Sequence, residues 1–301
     1  MNREDSFPLI DSQDHDILMH RDAHFSGNFL IMLSYYAEEG KGSYTEFEPK
    51  RIKALQEMEE AKQINLADEL LNEEEKGQVS RAKEKYFLLR DIYNNKNESL
   101  SHRIADLILT EDLEAEEEIT QIVRYGQQAV APLISLVSQD DFYNPLFPGY
   151  GMAPAYAAKC LGILKDPRAI PALFSVLGHA DFLTEEAVFD ALREIGIEAQ
   201  VFLMKSLLQQ PFTKENENAA IALLTFPLDE RISEVFLQAL SMAHGTQQNQ
   251  LVSYLILGCE GLKKTELQEE FKAIARSLPA QEMQQEAKMI MKPWASSHYS
   301  Q

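Results

Sequence analysis

The chain has 301 residues, 45% of them hydrophobic and 25% charged, enough apolar content for a continuous buried core. Acidic residues outnumber basic ones 48 to 28, giving a formal charge of −20. A surface of that sign repels phosphate backbones, so nucleic acid is excluded as the expected partner and a protein or peptide, basic by charge complementarity, takes its place.

The N-terminus, MNREDSFPLIDSQDHD, lacks a basic start followed by an apolar run, which argues against a signal peptide. The longest apolar stretch, Phe29 to Leu33, is far too short to span a bilayer. Cys160 and Cys259 make no disulfide framework and read as core filler in a reducing compartment. The expectation is a soluble cytoplasmic protein without membrane contact.

The first hundred residues contain no repeat. From 24 to 39, Phe25, Phe29, Met32, Leu33 and Tyr36 fall at helical spacing, and Gly40-Lys41-Gly42-Ser43 breaks the pattern. Two long charged helices are predicted between 48 and 94, with Ile52, Leu55, Met58, Val79, Ala82, Tyr86 and Leu89 as their apolar side and the Glu and Lys residues as solvated faces. Residues 1–98 are read as a helical cap covering the apolar end of the helices C-terminal to it.

Histidines cluster near the start of this region. His20 and His24 are four apart, so a helix would put both imidazoles on one face, a workable metal pair. MHRDAHFSGNF nevertheless lacks the glutamate of the zinc-protease helix, and spacing fixes no third ligand. The alternative is a polar helix start capped by Asp22 or Ser26. The expectation is therefore no metal and no cofactor, with the histidine cluster kept as the alternative.

From residue 99 onward the chain repeats. IVRYGQQAVAPLISLV, LGILKDPRAIPALFSVL and LREIGIEAQVFLMKSLL each end one helix, pass a short polar turn and start a second helix at Ala129, Ala169 and Ala199. Behind those alanines Leu133, Leu173 and Leu203 correspond, as do Ile134, Phe174 and Met204, then Val137, Leu177 and Leu207. The alternation recurs every 30 to 40 residues, as in helical solenoids. Gly126 and Gly196 suit helix ends that need a left-handed residue, and Asp166-Pro167 replaces them with a cap and a proline at the first helical position. Fainter copies carry Ile232, Phe236 and Leu240 behind Pro227, then Gly258 and Gly261 as breaks. A closing helix is predicted from 281 to 291, stopped by Pro293, with 293–301 as a tail.

LGILKDPRAIPALFSVL resembles the HEAT-like repeat of the phycobilisome-lyase type, with leucine-glycine closing one helix and aspartate-proline-arginine-alanine opening the next; IVRYGQQAVAPLISLV resembles its companion with a lone glycine turn. The likeness covers residues 114–211 and extends weakly to 278. It implies an all-α, right-handed α-α superhelix over 99–292 with the helical N-terminal cap. Such repeats serve scaffolds, lyases, glycosylases and hydroxylases, so function must come from the site. Di-iron hydroxylases of this class would need His-Glu dipeptides, and none occurs here; the glycosylases would need a basic face, which −20 contradicts. A lyase-like enzyme or a chaperone is the alternative that survives.

No phosphate-binding glycine loop and no G-x-S-x-G elbow is present. The acidic runs Glu73–Glu75 and Glu114–Glu118 read as helix starts, where negative charge suits the dipole. Between the first two repeats, the connection over 139–152, QDDFYNPLFPGYGM, holds Phe142, Tyr143, Phe147 and Tyr150. Aromatics in a long loop mark a binding rim, unless the rings fold back to fill the side of the stack. The function expected is a non-enzymatic scaffold or adaptor. Its partner would lie on the concave face, touching Gln128, Arg168 and Lys205, with these four aromatics at one rim.

Overall fold

The structure, a computed structural model, describes residues 10–37, 47–94, 99–110, 114–243 and 248–297. Among them it is all-helical, with seventeen α-helices, three short 3-10 turns and no strand. No described helix is long and apolar enough to cross a membrane. The chain divides into two compact units, 1–157 and 158–301.

The first unit opens with α1 (Ser12–His24), α2 (Phe29–Ala37), α3 (Pro49–Lys62), α4 (Leu66–Leu70) and α5 (Glu73–Asn94). Two of the expected boundaries differ. The helix expected from 24 is α2, which starts five residues later, at Phe29. The segment before it forms the separate helix α1, opened by a complete capping box in which the Asp11 carboxylate accepts the Gln13 and Asp14 amides and Asp14 accepts the Asp11 amide. Asp22 and Ser26 cap neither helix: α1 ends at His24, the turn through Ser26 and Gly27, both at positive φ, separates it from α2, and the Asn28 side chain caps α2 by accepting the Leu30 and Ile31 amides. Between 48 and 94 there are three helices in place of two, since Gln63 adopts a left-handed conformation after α3 and Asn65 caps α4 by accepting the Ala67 amide. The break expected at Gly40–Ser43 lies outside the described residues.

Arginines tie these helices together. Arg51 of α3 donates through Nε to Asp14 (2.7 Å) and through Nη1 to Gln13 (2.7 Å), and also pairs with Asp11. Arg21, fully buried, donates to Asp22 (2.7 Å), Glu59 (2.6 Å) and Asn65 (3.0 Å), with its guanidinium 4.6 Å from the Phe29 ring centroid. A buried cation survives only when its donors are met in this way. Around it lies a core of Ile17, Leu18, Met32, Ile52, Leu66 and Phe147. The unit continues with α6 (Leu100–Leu109), α7 (Glu116–Val123), α8 (Gln127–Val137) and, after a 3-10 turn at Asp140–Tyr143, the start of α9 (Ala153–Leu164). Glu73–Glu75 and Glu116–Glu118 occupy the first turns of α5 and α7, where the helix dipole favours them.

The second unit holds the rest of α9, then α10 (Ile170–Ser175), α11 (Phe182–Ile195), α12 (Ile197–Leu207), α13 (Lys214–Leu224), α14 (Glu230–Ala243), α15 (Asn249–Gly258), α16 (Thr265–Ser277) and α17 (Gln281–Ser297). The alternation is visible in the packing: α13 lies on α15 and α15 on α17, while α12 lies on α14 and α14 on α16. The repeated register is a register of burial. Ala129, Ala169 and Ala199 are buried, as are Leu133, Leu173 and Leu203, and Val137, Leu177 and Leu207. Phe174 is buried as well, while Ile134 and Met204 are half-buried. The turns use the residues expected: Gly126 and Gly196 have positive φ, and the Asp166 carboxylate accepts the Arg168 amide ahead of Pro167.

Amides in the first turns of later helices reach back to carbonyls left open before them. Asn216 of α13 donates to Ser206 (2.9 Å), Leu207 (3.1 Å) and Gln209 (2.8 Å). Gln268 of α16 donates to Leu262 (2.9 Å), and Gln284 of α17 to Leu278 (2.8 Å). Each satisfies a helix C-terminus that would otherwise be buried unpaired. At the far end the prediction that Pro293 stops the last helix fails: α17 runs through it to Ser297. A proline costs a helix one hydrogen bond and some strain. Trp294 offsets this, buried edge-on against Phe271 at 5.4 Å between ring centroids, with its indole N–H directed at the Glu260 carbonyl (3.3 Å).

Candidate functional site

An open groove of about 790 Å3 lies in the second unit where the C-terminal ends of α10 and α12 meet the start of α13. Its apolar floor is Phe174, Leu177, Phe202 and Leu208, with the two phenylalanine rings edge-to-face at 5.4 Å. Ser175, His179, Lys205, Ser206 and Lys214 surround it. Asn218 builds one wall, its Nδ2 donating to the Leu177 carbonyl at 2.6 Å and so fixing α13 to the end of α10. The arrangement exposes apolar area beside a few donors, which is how recognition surfaces are composed.

The sequence-predicted contacts are distributed unevenly about this feature. Lys205 is exposed and lines the groove. Arg168 is exposed but turned onto its own loop, donating through Nε (2.9 Å) and Nη2 (2.7 Å) to Asp166; this bonding holds the aspartate carboxyl below the usual range. Gln128 is exposed on α8, in the first unit. Phe202, His179, Lys214 and Asn218 were not singled out from the sequence. Phe202 and Lys205 are three apart on α12, and Gln209 follows just past its end; that spacing was the signal available.

The aromatic connection is folded in. Phe142 and Phe147 are buried, the latter inside the first unit's core, so the expectation of an exposed aromatic rim is corrected for these two. Successive backbone bonds (Phe147 to Asn144, Tyr150 to Phe147, Met152 to Gly149) coil the segment tightly enough to turn its rings inward. Tyr143, half-buried, donates its hydroxyl to the Val137 carbonyl at 2.6 Å. Lys85 of α5 sits 5.2 Å from the Phe142 ring centroid and pairs with Asp141 at 3.6 Å. Tyr150, also half-buried, stacks on His24 with ring centroids 5.1 Å apart.

The clustered histidines separate. His15 meets Glu75 of α5 at 2.9 Å, whereas His20 and His24 turn inward and stack on each other at 5.4 Å. His24 Nε2–H donates to the Leu146 carbonyl (2.7 Å), and His20 Nδ1 is buried without a hydrogen-bond partner. Burial, then the neighbouring His24, pushes the His20 imidazole down to about 3; burial also lowers His24, against the opposing effect of its bond to Leu146. Among the described residues no three His, Cys, Asp or Glu side chains converge in a metal-ligating group.

A second cleft, about 620 Å3, lies between α5, α6 and α7 and is lined by Tyr86, Arg90, Tyr93, Arg103, Asp106 and Glu117 among others. Within it Arg103 and Asp106 pair at 3.2 Å. Comparison with protein-family models, curated proteins and solved structures finds no match to this chain.

Proposed function

We propose that this protein is a scaffold or adaptor built from HEAT-like helix hairpins, and that it takes a segment of a partner protein into the groove between α10, α12 and α13. The observation that carries the reading is the open groove in which half-buried Phe202 and Leu208 lie beside buried Phe174 and Leu177, with Lys205 exposed at its edge. An apolar surface kept in water costs free energy until a partner covers it. The repeated burial register and the two alternating rows of helices in the second unit support the hairpin architecture. Acidic charge over the rest of the chain speeds the approach of a basic partner. A reducing compartment belongs to the same reading, since Cys160 and Cys259 are free and buried.

The test is a photo-crosslinking amino acid placed at Phe202 and, as a control, at the exposed Glu60 of α3. The groove position is expected to capture a defined partner that the control position does not. Identical crosslink patterns from both positions would remove the groove from the function.

A further inference from the structure

The attachment of residues 140–152 to α1 runs through two neutral imidazoles, His20 buried and His24 half-buried. His24 holds the Leu146 carbonyl at 2.7 Å, and Tyr150 lies over both rings, at 5.1 Å from His24 and 6.5 Å from His20. Phe47, just ahead of α3, closes edge-on against His20 at 5.1 Å, and Tyr86 of α5 closes edge-on against His24 at 5.9 Å. The charged neighbours offer no relief. Arg21 lies between the two histidines in sequence but is held by Asp22 and Glu59, Lys85 of α5 is paired with Asp141, and Asp16, one turn before His20, is exposed. No carboxylate among the described residues lies within ion-pair distance of either ring; the histidine ion pairs are those of His15 and His102.

A proton arriving here therefore has no counter-charge. On His20 Nδ1 it would create a buried N–H without an acceptor, and on both rings it would place two cations face to face in an apolar pocket. Once the segment comes away from α1, water can solvate either imidazolium. We propose that the stacked His20–His24 pair makes the docking of residues 140–152 on α1 acid-labile, so that proton uptake releases this segment and uncovers Phe142 and Phe147 while the second unit stays folded.

Linkage sets the size of the effect. The released form binds a proton with ordinary imidazole affinity and the docked form binds it less well, so below about pH 6.5 the released fraction rises by up to about tenfold per pH unit for each imidazole. The experiment is hydrogen exchange with mass spectrometry on the full chain between pH 7.5 and 5, corrected for intrinsic exchange. Peptides from α11 to α15 serve as the internal reference. Protection over 142–152 and over α1 is expected to fall more than tenfold relative to that reference. His20→Phe, which keeps the ring and loses the proton site, is expected to remove about half of the response, as is His24→Phe, and the double variant to flatten it. The proposal is overturned if wild-type protection over 142–152 does not change with pH, or falls in step with the second unit. A response in the folded His20→Phe/His24→Phe double variant equal to that of the wild type also overturns it. Because the wild-type pH series decides alone, the proposal stays exposed to failure even if the variants do not fold.

Discussion

Asn218 donates its Nδ2 to the carbonyl of Leu177 at 2.6 Å across 41 residues of sequence, fixing the first turns of α13 to the end of α10 and forming a wall of the groove. Asn216, two residues earlier, does the same for α12 through three carbonyls. Both side chains are buried. Replacing either with alanine leaves buried carbonyls unpaired, at about 1–3 kcal/mol. We expect Asn216→Ala and Asn218→Ala each to lower the second unit's stability by about 2 kcal/mol in denaturant titration. The fluorescence of Trp294, the chain's one tryptophan, reports on that unit. A loss below about 0.5 kcal/mol for both would show that water replaces the amide.

Gly258 has an ordinary helical conformation, with φ −65 and ψ −15, so propensity alone predicts that Gly258→Ala stabilises α15 by up to about 1 kcal/mol. Space predicts the opposite, because an added Cβ would stand 2.1–2.3 Å from the Phe236 ring, which is fully buried and cannot retreat. Overpacking of this kind costs about 1–3 kcal/mol. Steric conflict should win, giving a net destabilisation, and Phe236→Leu added to Gly258→Ala should recover part of it. Thermal unfolding of the single and double variants checks both signs.

Phe147 is 1% exposed in the first unit's core, whereas Phe87 on α5 is 72% exposed. Phe147→Ala is expected to cost about 3–5 kcal/mol through lost burial and a cavity. Phe87→Ala should stay within about 0.5 kcal/mol. Circular dichroism in a urea series measures both. Similar small losses at the two positions would mean that the 140–152 segment is not part of the core.

Stability of the first unit should depend on pH with a definite sign. His20 and His24 have folded values below the unfolded imidazole value, so between pH 6.5 and the folded values the unfolded chain binds more protons than the native one. Their contribution is present in full above about pH 6.5 and is lost as pH falls toward the folded values, by up to about 1.4 kcal/mol per pH unit for each imidazole. Chemical denaturation at pH 7.5, 6.5 and 5.5 should show the loss, and His20→Phe should remove about half of the slope. A stability of the first unit that rose on acidification would contradict the buried neutral pair.

Phe202→Ala and Lys205→Glu remove an apolar floor residue and reverse the charge beside it. Both positions are away from the fully buried core, so folding should be kept while crosslinking to the partner from a photo-crosslinking residue at exposed Gln209, in the same groove, drops by about tenfold or more. Partner yields matching wild type in both variants would move the binding surface elsewhere.

Helix content, the turns at Gly126, Gly196 and Asp166, and the shared register behind Ala129, Ala169 and Ala199 were legible in the sequence, because each depends on residues close together along the chain. Spacing of three and four puts Leu173 and Leu177 on one face whatever lies opposite. The fate of polar and aromatic residues depended on neighbours distant in sequence. The bond of His24 to Leu146 spans 122 residues, and only that approach turns a histidine cluster suited to a metal into a stacked pair turned inward. Phe142 and Phe147 could be a rim or a filling until α1 and α5 supplied the pocket that holds them. Pro293 read as a stop because local rules count the lost hydrogen bond and cannot see Phe271 waiting for Trp294. Local stereochemistry thus wrote the helices and their inward faces into the sequence. Which polar atoms found partners, and which rings met water, was decided by contacts that exist once the helices have packed.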